Sequence, residues 1–332
     1  MRLKKCLRAC DRGLACLVLM AGCALLALCV SSCTSFERLT KVVEQFPQAR
    51  ACGECHVDIY REWSESPHAR AYTNPRYREG TDDYRFAACI GCHAPIPTVT
   101  EATPPARAAF REEGVTCVSC HLEEQKMLGP IIPTGKVAPH PVGVVPDRYR
   151  NSRFCGRCHT GTFAEWSAVK MEKKPTCQEC HMPATKRKLT QATSSFSKAI
   201  VAMEQEVPQK RHTFTSNPKD LESPPFTVTV VNDPANLKLT IRNNLMHAVP
   251  TGDFGIRIVV LDAILVDAKG ANRFLGQREL VKQLGTALPP QSSFEWKLPA
   301  QKNARAVLVR IRRRGAEGGS SLELFKTEVP LR

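Results

Sequence analysis

The sequence repeats one short motif, C-x-x-C-H, five times between residues 52 and 181. Of the 16 cysteines in the 332-residue chain, six lie within residues 1–33, and the other ten all belong to these motifs. Two thiols at this spacing can form thioethers with the two vinyl groups of one porphyrin, and the histidine that follows can bind the iron. The pattern predicts five covalently bound haem c groups, each with its own pair of cysteines and its own proximal histidine. The motifs are Cys52-Gly-Glu-Cys55-His56, Cys89-Ile-Gly-Cys92-His93, Cys117-Val-Ser-Cys120-His121, Cys155-Gly-Arg-Cys158-His159 and Cys177-Gln-Glu-Cys180-His181.

Zinc sites and redox disulfides are the alternatives for paired cysteines. Neither of them requires a histidine after every second cysteine. The chain has only nine histidines, and all five motifs are followed by one. The motifs therefore favour haem strongly.

Residues 1–32 are typical of an export signal, with basic residues first and an apolar run from Leu14 to Val30. The end of this run, Val30-Ser31-Ser32-Cys33, resembles a bacterial lipoprotein signal, which is cut before a cysteine that is then lipidated. The alternative is an uncleaved membrane anchor. Either interpretation predicts an exported cell-envelope protein, periplasmic or at the outer membrane, held to the membrane through a lipid on Cys33 or through the anchor.

The chain carries 47 Lys and Arg against 32 Asp and Glu, a formal net charge of +15. In an exported protein, nucleic acid is a poor explanation for this charge, so no nucleic-acid partner is predicted.

Four histidines lie outside the motifs and are candidate distal iron ligands for five haems: His68, His140, His212 and His247. His68 follows a short predicted helix that stops at Pro67, and His140 is held between two prolines. One haem is left without a second histidine. Its iron could bind a lysine or a methionine, or stay open to substrate; the methionines considered are Met127, Met171 and Met182.

The pattern of the chain changes near residue 225 and predicts an α+β protein. The predicted divisions are a tether at 33–50, a helix-and-loop pentahaem cytochrome domain at 51–185, a linker strap at 186–224 and an immunoglobulin-like β-sandwich at 225–332. Alternating apolar residues such as Leu237, Leu239 and Ile241 favour about seven short strands in the last part. Its most basic stretch could be a docking patch or a solvated strand edge: Arg305, Arg310, Arg312, Arg313 and Arg314.

The first motif and the residues after it, Ile59-Tyr60-x-x-Trp63-Ser64-x-Ser66-x-His68, resemble the opening of the cytochrome c-554 family of multihaem cytochromes. The stretches around the third, fourth and fifth motifs and His247-x-x-Pro250-Thr251-Gly252 are similar to that wider group. The resemblance implies that His68 is a distal ligand on a haem other than that of its own motif, and that one haem can be five-coordinate. This chain differs from the family's namesake by its fifth haem and its added β-rich part.

These features predict a membrane-tethered pentahaem cytochrome that transfers electrons and has no catalytic residue. The predicted partners are redox proteins, namely other cytochromes or a membrane quinol-oxidising or porin–cytochrome system. One alternative is an enzyme that converts nitrite, nitric oxide or hydroxylamine at an open haem. Another is a subunit of an extracellular conductive assembly.

Overall fold

The computed structural model describes residues 47–96, 104–135, 139–215, 221, 223–301, 304–315 and 321–331. The predicted signal segment and the lipidation site Cys33 lie outside these residues. Within the described ranges, no helix has the length and apolar character needed to span a membrane. The described residues form short helices first and long antiparallel strands afterwards, which confirms the α+β class.

Short helices dominate the region that carries the motifs. They are α1 (Ala49–Gly53), α2 (Val57–Ser64), α3 (Pro75–Gly80), α4 (Ala87–His93), α5 (Cys117–His121), α6 (Pro146–Arg150), α7 (Thr160–Ala168) and α8 (Cys177–His181), with 3₁₀ turns at Arg111–Glu113 and Ser152–Arg157. Thr116 and Thr176 begin α5 and α8 through capping boxes, which satisfy the free amides of the first turn. Helices this short are not stable alone. They depend on what packs against them.

Few apolar side chains pack against these helices. A small cluster contains Ala49, Trp63 and Ala69, with Tyr60 and Phe214 at its edge. Trp63 on α2 is buried. This small core is what a chain wrapped around large apolar cofactors would have.

Two small sheets also belong to the first two-thirds of the chain. Strands β1 (Leu122–Glu123) and β2 (Lys126–Gly129) form a hairpin, and β3 (Val142–Val144) runs parallel to β2. The segment expected to be a linker strap contains regular structure. It holds α9 (Ser195–Ala202) and an antiparallel pair of strands, β4 (Ala184–Arg187) and β5 (Val207–Lys210).

The described part of the C-terminal region contains seven strands, in agreement with the number that the alternating pattern predicted. They are β6 (Phe226–Asn232), β7 (Asn236–Asn243), β8 (Ile258–Asp267), β9 (Asn272–Val281), β10 (Ser293–Pro299), β11 (Ala304–Arg313) and β12 (Leu322–Pro330). They form two antiparallel sheets of order β10-β7-β6 and β12-β11-β8-β9. Strand β8 begins only at Ile258, since Gly255 at φ +74° turns the chain before it and leaves Ile256 exposed.

Both sheets contribute to one hydrophobic core. Leu237, Leu239 and Ile241 on β7 are fully buried, and so are the alternate residues Val307 and Val309 on β11. Each such side chain stabilises the fold by about 1.5–3 kcal/mol when it leaves water. The period-two pattern therefore marks the inner faces of the two sheets.

The basic stretch on and after β11 is largely paired with carboxylates. Four of its five arginines form ion pairs: Arg305 with Glu328 at 2.7 Å, Arg310 with Glu323 at 3.3 Å, Arg312 with Asp262 at 2.8 Å, and Arg314 with Glu279. This argues against a docking patch formed by the whole stretch. Arg313 differs, because it borders the cavity described next.

Candidate haem-binding site

One large cavity connects all five motifs. It has a volume of about 3620 Å³, and all ten motif cysteines and all nine histidines line it. A pocket for a single small ligand usually measures about 300–1,000 Å³. The cavity thus has room for several large groups side by side.

The motifs lie on helical turns, which explains how both thiols of a motif reach one ligand. Residues three apart on a helix lie on the same face. Helices α5 and α8 begin at Cys117 and Cys177 and end at the motif histidine, and α4 also ends at its motif histidine, His93. Each motif therefore presents two sulfurs and one imidazole to the same side.

Each of the four histidines outside the motifs faces a motif histidine. Two imidazoles on opposite sides of one metal ion have ring centres about 6 Å apart, given metal–nitrogen bonds of about 2 Å. The observed ring-centroid distances are 6.4 Å for His56 and His140, 6.2 Å for His68 and His159, 6.1 Å for His121 and His212, and 6.3 Å for His181 and His247. The gap in every pair fits one iron porphyrin. The sequence did not predict these pairings.

Backbone carbonyls orient most of these imidazoles through Nδ1. The Nδ1 atoms of the motif histidines lie 2.9 Å from Leu189 O for His56, 2.6 Å from Ala71 O for His93, 2.7 Å from Leu128 O for His121 and 2.7 Å from Thr215 O for His181. An Nδ1–H that donates to a carbonyl leaves the Nε2 lone pair for a metal ion. The surroundings thus select the tautomer that can bind iron.

Burial also keeps the imidazoles neutral, which is the form that binds a metal ion. It lowers the pKa of His68 to about 3, with the charge of His159 as the next cause. It likewise lowers the pKa of His212 to about 3. The pKa values of His121, His159 and His247 are lowered for the same reason.

His93 is the motif histidine without an imidazole opposite it among the described residues. Its ring instead stacks on Tyr77, with centroids 3.7 Å apart and planes 9° apart. The Tyr77 hydroxyl is buried and has no hydrogen-bond partner within the described part of the chain. The haem predicted to lack a second histidine therefore corresponds to Cys89, Cys92 and His93.

The pKa shifts of the motif thiols indicate which motifs are neighbours, because only nearby groups act on one another. Cys52 and Cys117, Cys92 and Cys158, and Cys155 and Cys177 perturb each other's pKa. Cys120 lies close enough to Cys155 and Cys158 to raise the pKa of both. The first motif therefore adjoins the third, and the fourth adjoins the second, third and fifth.

The thiols of the ten motif cysteines are free of disulfides. In the ranges that the structure describes, no three or more His, Cys, Asp or Glu side chains converge as a metal-ion site would require.

Two carboxylates that sequence reasoning missed hold the loops that carry two of the candidate distal histidines. Glu62 on α2 accepts a hydrogen bond from the His212 amide at 3.0 Å and pairs with Arg187 through two 2.8 Å bonds. Glu165 on α7 accepts from the amide of Ala248, next to His247, at 3.0 Å. Both follow a motif histidine by six residues, within the shared letters C-G-x-C-H and then E-W-S. That repeat is the signal that could have found them.

A buried arginine, also missed, shapes the turn before the third motif. Arg107 is 0% exposed and donates to the carbonyls of Phe110 at 2.7 Å and Gly114 at 2.9 Å. It also contacts the hydroxyl of Thr116, which begins α5. Arg107 thus fixes the approach to Cys117.

The motifs, the paired imidazoles and the cavity define a multihaem c-type cytochrome, a class of proteins that work outside the cytoplasm. Within that class, residues 51–122 match the family described as "Cytochrome c554 and c-prime", so this part of the chain is similar to the c554 family, and a β-rich C-terminal region follows it. The resemblance seen in the sequence is confirmed.

The fold is similar to the crystal structure of a penta-heme cytochrome c552 from Thermochromatium tepidum. The TM-score is 0.57 at 20% sequence identity, over 86% of this chain and 98% of that one. At this identity the similarity shows the fold alone. A likeness to the putative ApaA protein from Bordetella pertussis has a TM-score of 0.20 at 14% identity, over 32% of this chain and 91% of that one, and carries no argument. No curated protein matches the chain.

Proposed function

We propose that this protein transfers electrons through five covalently bound haem c groups in the bacterial cell envelope. The observation that carries the proposal is the set of four imidazole pairs, with ring centroids 6.1–6.4 Å apart in one cavity. A haem supplies one-electron chemistry at its iron, and the protein holds, orients and tunes it.

The chain's own residues fit this role. The ten motif cysteines would attach the porphyrins and the five motif histidines would bind the irons on one side. His140, His212, His68 and His247 would complete the first, third, fourth and fifth sites. Two imidazoles per iron close these sites to small ligands and suit electron transfer.

The proximity of thiols that belong to different motifs supports a branched route. The first motif adjoins the third, the third adjoins the fourth, and the fourth adjoins both the second and the fifth. Electrons that enter at the first site would pass the third and fourth sites before the route divides. One branch would end at the fully ligated fifth site and the other at His93.

We further infer that residues 225–332 form an immunoglobulin-like β-sandwich that acts with the haem domain at 51–185. Seven strands in sheets of three and four, with one shared core, support this arrangement. The region supplies His247 to the fifth site, so its role extends beyond covering the haems. The predicted tether at 33–50 and strap at 186–224 remain the proposed connections.

The proposed cellular location of the protein is based on residues 1–33, which favour export and lipidation of Cys33. A lipid there would hold the cytochrome at the envelope membrane, near redox proteins such as another cytochrome, a quinol-oxidising complex or a porin–cytochrome complex.

The site at His93 supports a second candidate function, catalysis at an open iron. The specific observation is that no second imidazole faces His93 within the described residues, whereas the other four motif histidines each have one. Nitrite, nitric oxide and hydroxylamine are the substrates this alternative predicts.

An intact-mass measurement on protein matured in a host with cytochrome assembly machinery tests the main proposal. We expect five covalent haems per chain, with low-spin signals from four irons and one high-spin signal in the electron paramagnetic resonance spectrum. A mass that corresponds to bare polypeptide or bound zinc contradicts the proposal. Turnover of nitrite or hydroxylamine by the same material would favour the enzyme.

A further inference from the structure

Three arginines meet near His93 and His159, where the charge of Arg257 acts on both imidazoles, at the junction of the haem-binding and β-rich regions. Arg257 directly precedes β8 and Arg313 ends β11. The two strands pair antiparallel with Arg313 opposite Val259, which brings Arg257 and Arg313 to one corner of the sheet. Arg76 on α3 reaches the same corner, where its guanidinium donates to the carbonyl of Arg314. All three arginines line the cavity that His93 lines.

These arginines lack the partners that the other arginines of this sheet have. Among the described residues, Arg76, Arg257 and Arg313 form no ion pair, whereas four neighbouring arginines each bind a carboxylate. A guanidinium carries five N–H donors. Arg76 uses one on Arg314 O and Arg257 uses one on Thr251 O. Most donors of the cluster are therefore available to a ligand.

The surroundings of the cluster concentrate positive charge. The pKa of Arg257 is lowered, mainly by desolvation and secondly by the charge of Arg76. The residue is nevertheless exposed, so a ligand in the cavity can reach it. Burial, followed by the charges of Arg257 and Arg76, lowers the pKa of Arg313. Like charges held close together in a partly desolvated place repel one another, and a bound anion would remove that cost.

The loop before β8 is built around the Arg257 side chain. Gly252 has φ +92°, and a Cβ at that position would collide with Arg257 Nη1. A glycine at residue 252 thus serves both the left-handed turn and the space for the guanidinium. Arg257 is held in place by the loop.

A second observation indicates a ligand beside His93. Tyr77 follows Arg76 on α3, stacks on His93 and lines the same cavity. It is only 8% exposed, yet its hydroxyl has no hydrogen-bond partner among the described residues. A buried hydroxyl without a partner costs free energy unless something binds it.

We propose that Arg76, Arg257 and Arg313 form a binding site for a small inorganic oxyanion beside the iron position of His93. Planar guanidinium groups match the oxygens of such anions through charge-assisted hydrogen bonds. The proposal rests on the proposed function only in requiring a haem at Cys89, Cys92 and His93. The carboxylates of the haem itself have the same chemistry, so the test must separate them from an exogenous anion.

The test uses the complete haem-loaded protein with nitrite as the anionic probe and imidazole as the neutral probe, each titrated against the ferric iron signal. We expect Arg257→Gln and Arg313→Gln each to weaken nitrite binding about tenfold, the loss of a charge-assisted hydrogen bond, and to leave imidazole binding unchanged. Arg310→Gln is the matched control on β11, because Arg310 pairs with Glu323 away from the cavity.

Wild-type protein supplies an independent measurement should a variant fail to fold. Sulfate should compete with nitrite and have no effect on imidazole binding. The variants could instead bind nitrite and imidazole equally more weakly and show a changed midpoint potential without added anion. That result would assign the arginines to the haem carboxylates and overturn the proposal. Failure of sulfate to compete would also overturn it. Intact mass still measures the number of haems in both cases, so the proposed function is tested independently of the anion site.

Discussion

Two parts of the haem-binding region are built to one plan and differ in which part of the chain supplies the histidine proposed as the distal ligand. The front module comprises residues 52–64 and 117–121, and the rear module comprises residues 155–167 and 177–181. The two longer segments share the pattern C-G-x-C-H, an aromatic residue four positions on, and then E-W-S. In each module, a thiol of one motif lies close enough to a thiol of the other to change its pKa.

The tryptophans of the repeat make equivalent contacts. Trp63 Nε1 donates to Val115 O at 2.8 Å, and Trp166 Nε1 donates to Pro175 O at 2.8 Å. Each carbonyl lies one residue before the threonine that begins α5 or α8. The tryptophan thus docks the second motif of its module onto the first.

The glutamates of the repeat also act in parallel, but on different parts of the chain. In the front module, Glu62 holds the His212 backbone together with Arg187, from the segment that follows the haem motifs. In the rear module, Glu165 holds the His247 loop and pairs with Lys282, both from the β-rich region. The same position on the repeated helix therefore holds a candidate distal histidine either from a neighbouring segment or from a second region. The second motif belongs to neither module, and it is the one whose histidine lacks an imidazole opposite.

Replacing a distal histidine by methionine should have the largest effect. His212→Met and His247→Met each exchange an imidazole for a thioether, which raises the reduction potential of that iron by about 100 mV or more, within the range of about 0.8 V that axial ligands span. Spectroelectrochemical titration measures the shift. One potential should move in each variant, and a different one in each. If both variants moved the same potential, the assignment of one histidine to each module would be wrong.

Removing the charge of the glutamates should come next. Burial alone would raise the pKa of Glu62, but its bonds with Arg187 and the His212 amide lower it, so the carboxylate is charged. The side chains of Arg187 and Glu62 are only 14% and 13% exposed. Glu62→Gln leaves a buried arginine unpaired and should lower the free energy of unfolding by about 3 kcal/mol.

Glu165→Gln is the matched variant in the rear module. Its partner Lys282 is more exposed and keeps Asp253 as a second carboxylate at 2.8 Å. We expect a loss of about 1–2 kcal/mol. Urea denaturation of the haem-loaded proteins measures both values. A larger loss for Glu165→Gln than for Glu62→Gln would show that the β-rich region, and not the buried ion pair, limits stability.

The sequence predicted what depends on local spacing. Thioether and proximal ligands lie within five consecutive residues, and the buried residues of β7 alternate, so neither needs knowledge of distant contacts. The pairing of His68 with His159 joins residues 91 positions apart and follows from the fold alone. The strap was predicted to lack regular structure because its residues are polar. In the structure, Glu204 accepts hydrogen bonds from the backbone amides of Leu189 and Thr190, which holds the two ends of this segment together.

Removing the indole donors should have a smaller effect. Trp63→Phe and Trp166→Phe keep most of the apolar surface and lose one hydrogen bond each, about 1 kcal/mol. Trp63 is buried, so Trp63→Phe leaves a carbonyl without a hydrogen-bond donor and should reduce stability more than Trp166→Phe does. Lys174 Nζ lies 3.9 Å from the centroid of the Trp166 ring and donates to the Trp166 backbone carbonyl. Phenylalanine at this position keeps both an aromatic ring and that carbonyl. Thermal melting of the two variants compares the modules, and equal shifts would contradict the difference in burial.

The helix caps should produce the smallest difference, and it should depend on pH. Thr116 is capped reciprocally by Ser119, whereas Thr176 is capped by Glu179, whose carboxylate accepts the Thr176 amide at 2.7 Å. That hydrogen bond lowers the pKa of Glu179 in the folded protein below its unfolded value. Because folding lowers this pKa, the Glu179 carboxylate stabilises the folded protein at neutral pH, above the unfolded pKa of about 4.3. The stabilisation is lost as the pH falls through the folded pKa. Glu179→Gln should therefore lower the melting temperature slightly at pH 7 and converge with the wild type in acid, while Ser119→Ala should shift it by the same amount at every pH. Parallel curves for Glu179→Gln and wild type would mean that the rear cap owes nothing to the charge of Glu179.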